Sequence, residues 1–70
     1  MSNSIKGIQT SEEIYMQYFL DCALAYIITF NPNKRRYYLY KTQDGIAIKT
    51  KYKSDQPKEL EIYVRKECDI

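Results

Sequence analysis

The dipeptide Asp44-Gly45 is the feature that most constrains how this chain can fold. Asp-Gly is a preferred pair for a two-residue type I′ turn, in which both central residues have positive φ. Here it separates residues 35–42, which contain three tyrosines, from residues 46–53, which alternate between apolar and polar side chains. Alternation of this kind is typical of a half-buried strand. The sequence therefore predicts a β-hairpin around this turn.

A two-residue turn also fixes the register of the two strands and therefore their faces. The predicted pairs are Arg36–Lys53, Tyr37–Tyr52, Tyr38–Lys51, Leu39–Thr50, Tyr40–Lys49 and Lys41–Ile48. One face, with Leu39 and Ile48, is expected to pack against the rest of the chain. The other is expected to face solvent and to form a candidate binding surface of Arg36, Tyr38, Tyr40, Lys49, Lys51 and Lys53.

Residues 60–65 also alternate between apolar and charged side chains, which predicts a third strand after a loop at 54–58. In this arrangement Leu60, Ile62 and Val64 join the core. Glu59 and Glu61 would lie beside Lys53 and Lys51 as cross-strand ion pairs.

The first half of the chain favours a long N-terminal helix over residues 11–29. Thr10 and Glu13 have the spacing of a capping box, and neither glycine nor proline occurs between Ile14 and Pro32. This gives an α+β fold with the helix on a three-stranded antiparallel meander, in one domain of 70 residues whose first nine form a loose arm.

A second interpretation of the same segment gives residues 25–30 to the sheet. These residues are β-prone, and the Asn31–Lys34 segment that follows is rich in turn-forming residues. The fold would then combine a shorter helix with a four-stranded antiparallel sheet.

The long helix would be apolar on nearly every side, whereas a sheet covers only one side of a helix. The excess predicts a homodimer or another protein interface. Its candidate residues are Tyr15, Phe19, Leu24 and Ile28.

Charge and composition reduce the number of function classes that fit this sequence. Residues 34–55 carry seven Lys or Arg against two Asp, although the whole chain has a net charge of only +2. The chain has no histidine and two cysteines, so we expect no catalytic residues, no metal site, no cofactor and no disulfide between Cys22 and Cys68. Cys22 is expected to be buried. The longest apolar stretch, 22–30, is too short for the roughly 20 residues that a membrane helix needs, so a cytoplasmic location is expected.

These features predict a small, non-enzymatic protein-binding module that acts as a regulator or inhibitor by docking on another protein. Small inhibitors carried by phages and other mobile elements have a similar composition, which is an analogy of composition only. The alternative is a nucleic-acid-binding protein, in which the tyrosines of the basic face stack on bases while its cations contact phosphates.

Overall fold

The computed structural model describes residues 5–68, with side chains as far as residue 67. Its elements are β1 (Glu13–Leu20), β2 (Ala23–Asn31), β3 (Arg36–Gln43), β4 (Ile46–Ser54) and α1 (Pro57–Cys68). The strands form one antiparallel sheet in the order β1-β2-β3-β4. The α+β class is confirmed, and so is an antiparallel sheet of four strands that includes residues 25–30, as in the second interpretation. The shorter N-terminal helix of that interpretation is wrong, because the helix is C-terminal and residues 13–20 form a strand.

The predicted helix over residues 11–29 is wrong, because Asp21 and Cys22 form a tight turn between β1 and β2. Their φ angles are 53° and 64°, the positive pair that a type I′ hairpin requires, here without glycine. Aromatic and β-branched residues on both sides of the turn pack well on a sheet, and this outweighs the local capping signal. Cys22 is consequently exposed rather than buried.

The hairpin at Asp44-Gly45 is confirmed. The turn has φ angles of 55° and 80°, and Tyr40 pairs with Lys49 as predicted. Lys41 also pairs with Ile48 as predicted.

Farther from the turn, between Tyr40 and the start of β3, the predicted register is wrong. Tyr38 pairs with Lys53, and Tyr37 pairs with Ser54. Thr50 occupies the irregular stretch opposite Leu39, where its hydroxyl donates a 2.8 Å hydrogen bond to the Leu39 carbonyl. This side-chain bond links β3 and β4 within the irregular stretch.

The predicted third strand over 60–65 is wrong, because these residues belong to α1. Pro57 opens the helix at a position where its missing N–H costs nothing. Leu60 and Val64, four residues apart, both face the sheet and are buried as predicted. Ile62 lies on the other side of the helix and is 56% exposed, so its predicted place in the core is wrong.

The core has two layers, one on each face of the sheet. On the helix face, α1 covers a cluster of Tyr26, Ile28, Leu39, Leu60 and Val64. On the opposite face, residues 5–12, here called the strap, run over Ile27, Tyr38, Tyr40 and Ala47.

The predicted loose arm is wrong for residues 5–9, because Ile5 and Ile8 of the strap pack against the core. Residues 1–4 and the side chain of Cys68 lie outside the described part of the chain. Ile48 is 48% exposed, so its predicted place in the core is wrong.

Two bulges interrupt the β1–β2 hairpin. Tyr15 is an extra residue in β1, because Ile14 and Met16 pair with consecutive residues of β2. Ala25 is the corresponding extra residue in β2, and the Thr42 hydroxyl donates a 3.1 Å hydrogen bond to its carbonyl. The second insertion cancels the register shift of the first, so both ends of the hairpin keep the same register.

Candidate functional site

Glu12, at the end of the strap, is the centre of a buried polar cluster. Its carboxylate accepts hydrogen bonds from the Tyr40 hydroxyl at 2.7 Å and the Thr29 hydroxyl at 2.9 Å. The Lys49 ammonium donates a third at 2.8 Å and forms an ion pair with it. The Glu12 side chain is fully buried, whereas that of Lys49 is one-third exposed.

The cluster keeps Glu12 ionised and Tyr40 protonated. Burial by itself raises the pKa of Glu12, but the hydrogen bonds from Lys49, Tyr40 and Thr29 together lower it below its usual 4.5. Burial and the bond to Glu12 raise the pKa of Tyr40. A carboxylate, a phenol and an amine could exchange protons with a substrate, but the carboxylate and the phenol are buried and both are bonded within the cluster. They hold the strap on the sheet.

The predicted basic face lies on the strap side of the sheet, and its two tyrosines are not exposed. Tyr40 is fully buried, and Tyr38 is 8% exposed with the Lys49 nitrogen 4.1 Å from its ring centroid. The exposed members are its four cations, Arg36, Lys49, Lys51 and Lys53, of which Lys49 is bonded to Glu12. The expectation of tyrosines open to solvent is therefore wrong, and the surface retains cations without a stacking platform.

The structure divides the four candidate interface residues into two pairs. Ile28 is fully buried beneath α1, and Leu24 is half-buried on the strap face. Tyr15 and Phe19 are exposed on β1. The four residues do not share a helix, as was expected. Tyr15 and Phe19 belong to a different apolar surface.

That surface is the β1 edge, defined as the outer side of the first strand with its large apolar side chains. These side chains are between 37% and 62% exposed: Ile14, Tyr15, Met16, Phe19 and Leu20. They project to both faces of the sheet, because neighbouring strand residues alternate in direction. Among the described strands, β1 pairs with β2 alone. Its only charged residue is Glu13.

Ile14, Met16 and Leu20 were not predicted as surface residues, because the sequence pattern indicated a helix at these positions. The signal that could have revealed them is the composition of residues 13–20. This segment combines three aromatic residues with isoleucine, methionine and leucine, has one charge and contains no proline. Such a segment, placed at a sheet edge, is prone to pair with another strand.

Aromatic contacts hold part of the β1 edge in place. The Tyr15 ring packs edge-to-face on Tyr37 with a centroid distance of 5.1 Å, and Tyr37 contacts Phe30 at 4.8 Å. The helix α1 packs mainly over β2, β3 and β4. Tyr15 is thus a supported aromatic side chain that stays 46% exposed beside the helix.

The remaining described surfaces carry fewer groups suited to binding or catalysis. A groove of about 250 Å³ on α1 is lined by Lys58, Glu61, Ile62 and Arg65, all on one side of the helix. Within the described residues, no three His, Cys, Asp or Glu side chains are grouped to hold a metal ion. No helix in that part of the chain has the length and hydropathy to cross a membrane.

Comparison of the chain with protein-family models, curated proteins and solved structures found no match.

Proposed function

We propose that this chain is a small, non-enzymatic protein-binding module that docks on another protein through the β1 edge. The observation that carries the proposal is the open outer side of β1, which presents five large apolar side chains and a single charge. Patches of this kind on a small domain mark interaction sites. Acting by occupying a partner's surface, the module would serve as a regulator or inhibitor.

The proposed mode of docking is strand addition. An extended segment of the partner pairs along the outer side of β1, where no other described strand is bonded, and this pairing supplies main-chain affinity. Side chains on the two faces of β1 then provide specificity. Tyr15, supported by Tyr37, is suited to be a rigid anchor, because aromatic residues dominate the binding energy of protein interfaces.

The nucleic-acid alternative is less well supported. It requires Tyr38 and Tyr40 to stack on bases, and both rings are buried. Arg36, Lys51 and Lys53 remain available for phosphates, but contacts of that kind carry no sequence preference by themselves.

A cytoplasmic location is part of the proposal. The exposed, free thiol of Cys22 is compatible with a reducing compartment, where unpaired cysteines persist.

Affinity capture from the native host, with the full chain as bait, tests the docking proposal. Phe19→Lys removes the most exposed apolar side chain of the β1 edge and adds a charge that blocks strand pairing. Ile62→Lys is the matched control, because Ile62 is similarly exposed but lies on α1. We expect the captured partner to be lost with Phe19→Lys and retained with Ile62→Lys.

The nucleic-acid alternative is tested in the same experiment. Nuclease treatment and the double variant Lys51→Glu/Lys53→Glu should leave capture unchanged if the partner is a protein bound at β1. If either condition abolishes capture while Phe19→Lys still captures the partner, binding belongs to the basic face and the proposal is overturned.

A further inference from the structure

The two edges of the sheet are built differently. At the β4 edge, the Ala47 N–H donates a 2.7 Å hydrogen bond to the Lys6 carbonyl of the strap. Gly7 lies so close that an added Cβ would be 1.9 Å from the Ala47 carbonyl oxygen. The strap therefore occupies a backbone group that an incoming strand would need.

The β4 strand also carries Lys49, Lys51 and Lys53. Lysine on an edge strand is a common protection against pairing with another sheet. The β1 strand carries no lysine, and none of the described strap or helix backbone bonds to its outer side. Within residues 5–68, the β4 edge is protected, and the β1 edge is bonded to no further strand.

From this asymmetry we infer that the β1 edge pairs with the β1 edge of a second copy of this chain, antiparallel and about a twofold axis. The result is a continuous eight-stranded sheet. The two β4 strands lie at the ends of this sheet, where the strap and the lysines protect them from pairing. Assembly therefore stops at two chains instead of continuing into a filament. The inference rests on the proposed function only in using the same docking surface.

The composition of β1 suits self-pairing. Its apolar side chains lie on both faces, so each face of the pair brings apolar residues together. Glu13 is at one end of the strand, and an antiparallel arrangement places the two Glu13 carboxylates at opposite ends of the interface. A parallel arrangement would bring these like charges together.

The interface is small, so the dimer should be weak. Each chain contributes one strand of eight residues, whereas stable protein complexes bury at least roughly 1,200 Å². Self-pairing and capture of another protein use the same strand and exclude each other. The monomer is then the form that binds the partner.

Sedimentation velocity over a range of concentrations tests the inference with the full chain. Wild type and Ile62→Lys should shift from 8.4 kDa toward twice that mass as concentration rises, while Phe19→Lys should remain at the mass of one chain. In parallel, hydrogen exchange should slow with concentration at the amides of β1 and not at those of β4.

Two results would overturn the second-copy inference. One is a wild-type chain that stays monomeric at every concentration, and the other is a dimer that Ile62→Lys dissociates and Phe19→Lys does not. A monomer that still captures a partner through Phe19 leaves the proposed function standing. A β1-dependent dimer without β1-dependent capture supports the inference and overturns docking on another protein.

Discussion

The hydroxyl of Tyr40 donates a 2.7 Å hydrogen bond to the carboxylate of Glu12, which lies 28 residues earlier in the chain. Both side chains are buried. The strand β1 begins at Glu13, directly after Glu12. The contact therefore fixes the point at which the chain passes from the strap, on one face of the sheet, to the outermost strand. The position of the β1 edge therefore depends on a buried carboxylate.

Replacing that carboxylate should destabilise the fold. In Glu12→Gln the side chain keeps its shape, but its amide group cannot accept from Lys49 as a carboxylate does. Loss of a hydrogen-bonded charge costs about 1.5–3 kcal/mol. Urea unfolding should show this decrease, whereas the exposed neighbour variant Glu13→Gln should stay within about 0.5 kcal/mol of wild type. Equal effects from the two variants would contradict the assigned role of Glu12.

The same carboxylate predicts a dependence of stability on pH. The folded pKa of Glu12 is below 4.5, so as pH falls the unfolded state takes up this proton first. Its contribution is complete well above pH 4.5 and declines as pH falls toward the folded pKa. The difference in unfolding free energy between wild type and Glu12→Gln should be constant near neutral pH and shrink in acid. A difference that instead grew as pH fell toward 4.5 would mean that burial outweighs the hydrogen bonds and raises the folded pKa of Glu12.

Gly7 predicts how the strap can be released. Its φ of +100° disfavours any side chain, and a Cβ would collide with the backbone of Ala47. Gly7→Ala should therefore detach the start of the strap and remove the exchange protection of the Ala47 amide. Gly45→Ala is the control, because Gly45 also has positive φ but has open space around it. If the Ala47 amide stays protected in Gly7→Ala, then the strap does not depend on this contact.

Two residues of α1 separate the observed helix from the strand that the sequence predicted. Leu60→Ala should lower the free energy of unfolding by about 2–5 kcal/mol. The Leu60 side chain is 3% exposed, because it lies on the side of α1 that faces the sheet. Ile62→Ala should change the free energy of unfolding by about 0.5 kcal/mol or less, because that side chain lies mostly in solvent. A strand would bury both side chains, and the two variants would then melt alike.

The hairpin at Asp44-Gly45 was predictable because its turn chemistry is local and matches the strands beside it. The turn at Asp21-Cys22 has the same backbone but lacks glycine, so no local signal interrupted the apparent helix. Residues 60–65 satisfy both the period of a strand and the four-residue spacing of Leu60 and Val64. In so short a segment, periodicity does not decide between the two.

The surfaces were harder to predict than the strands. Tyr38 and Tyr40 project to the predicted side of the sheet, but the strap that covers them is brought there by Glu12, from a distant part of the sequence. Whether an edge is open depends on which strand is last in the sheet. That property belongs to the assembled topology, so the composition of β1 indicates a strand prone to pairing but not its place at the edge of the sheet.

The cancelling bulges of the first hairpin restrict how the length of this chain can vary during evolution. Loss of Tyr15 alone, or of Ala25 alone, would leave the register uncorrected at one end of the hairpin. Loss of both together would restore continuous pairing from Glu13–Phe30 to Leu20–Ala23 without changing any partner. Insertions and deletions in this hairpin should therefore be inherited in matched pairs, one in each strand.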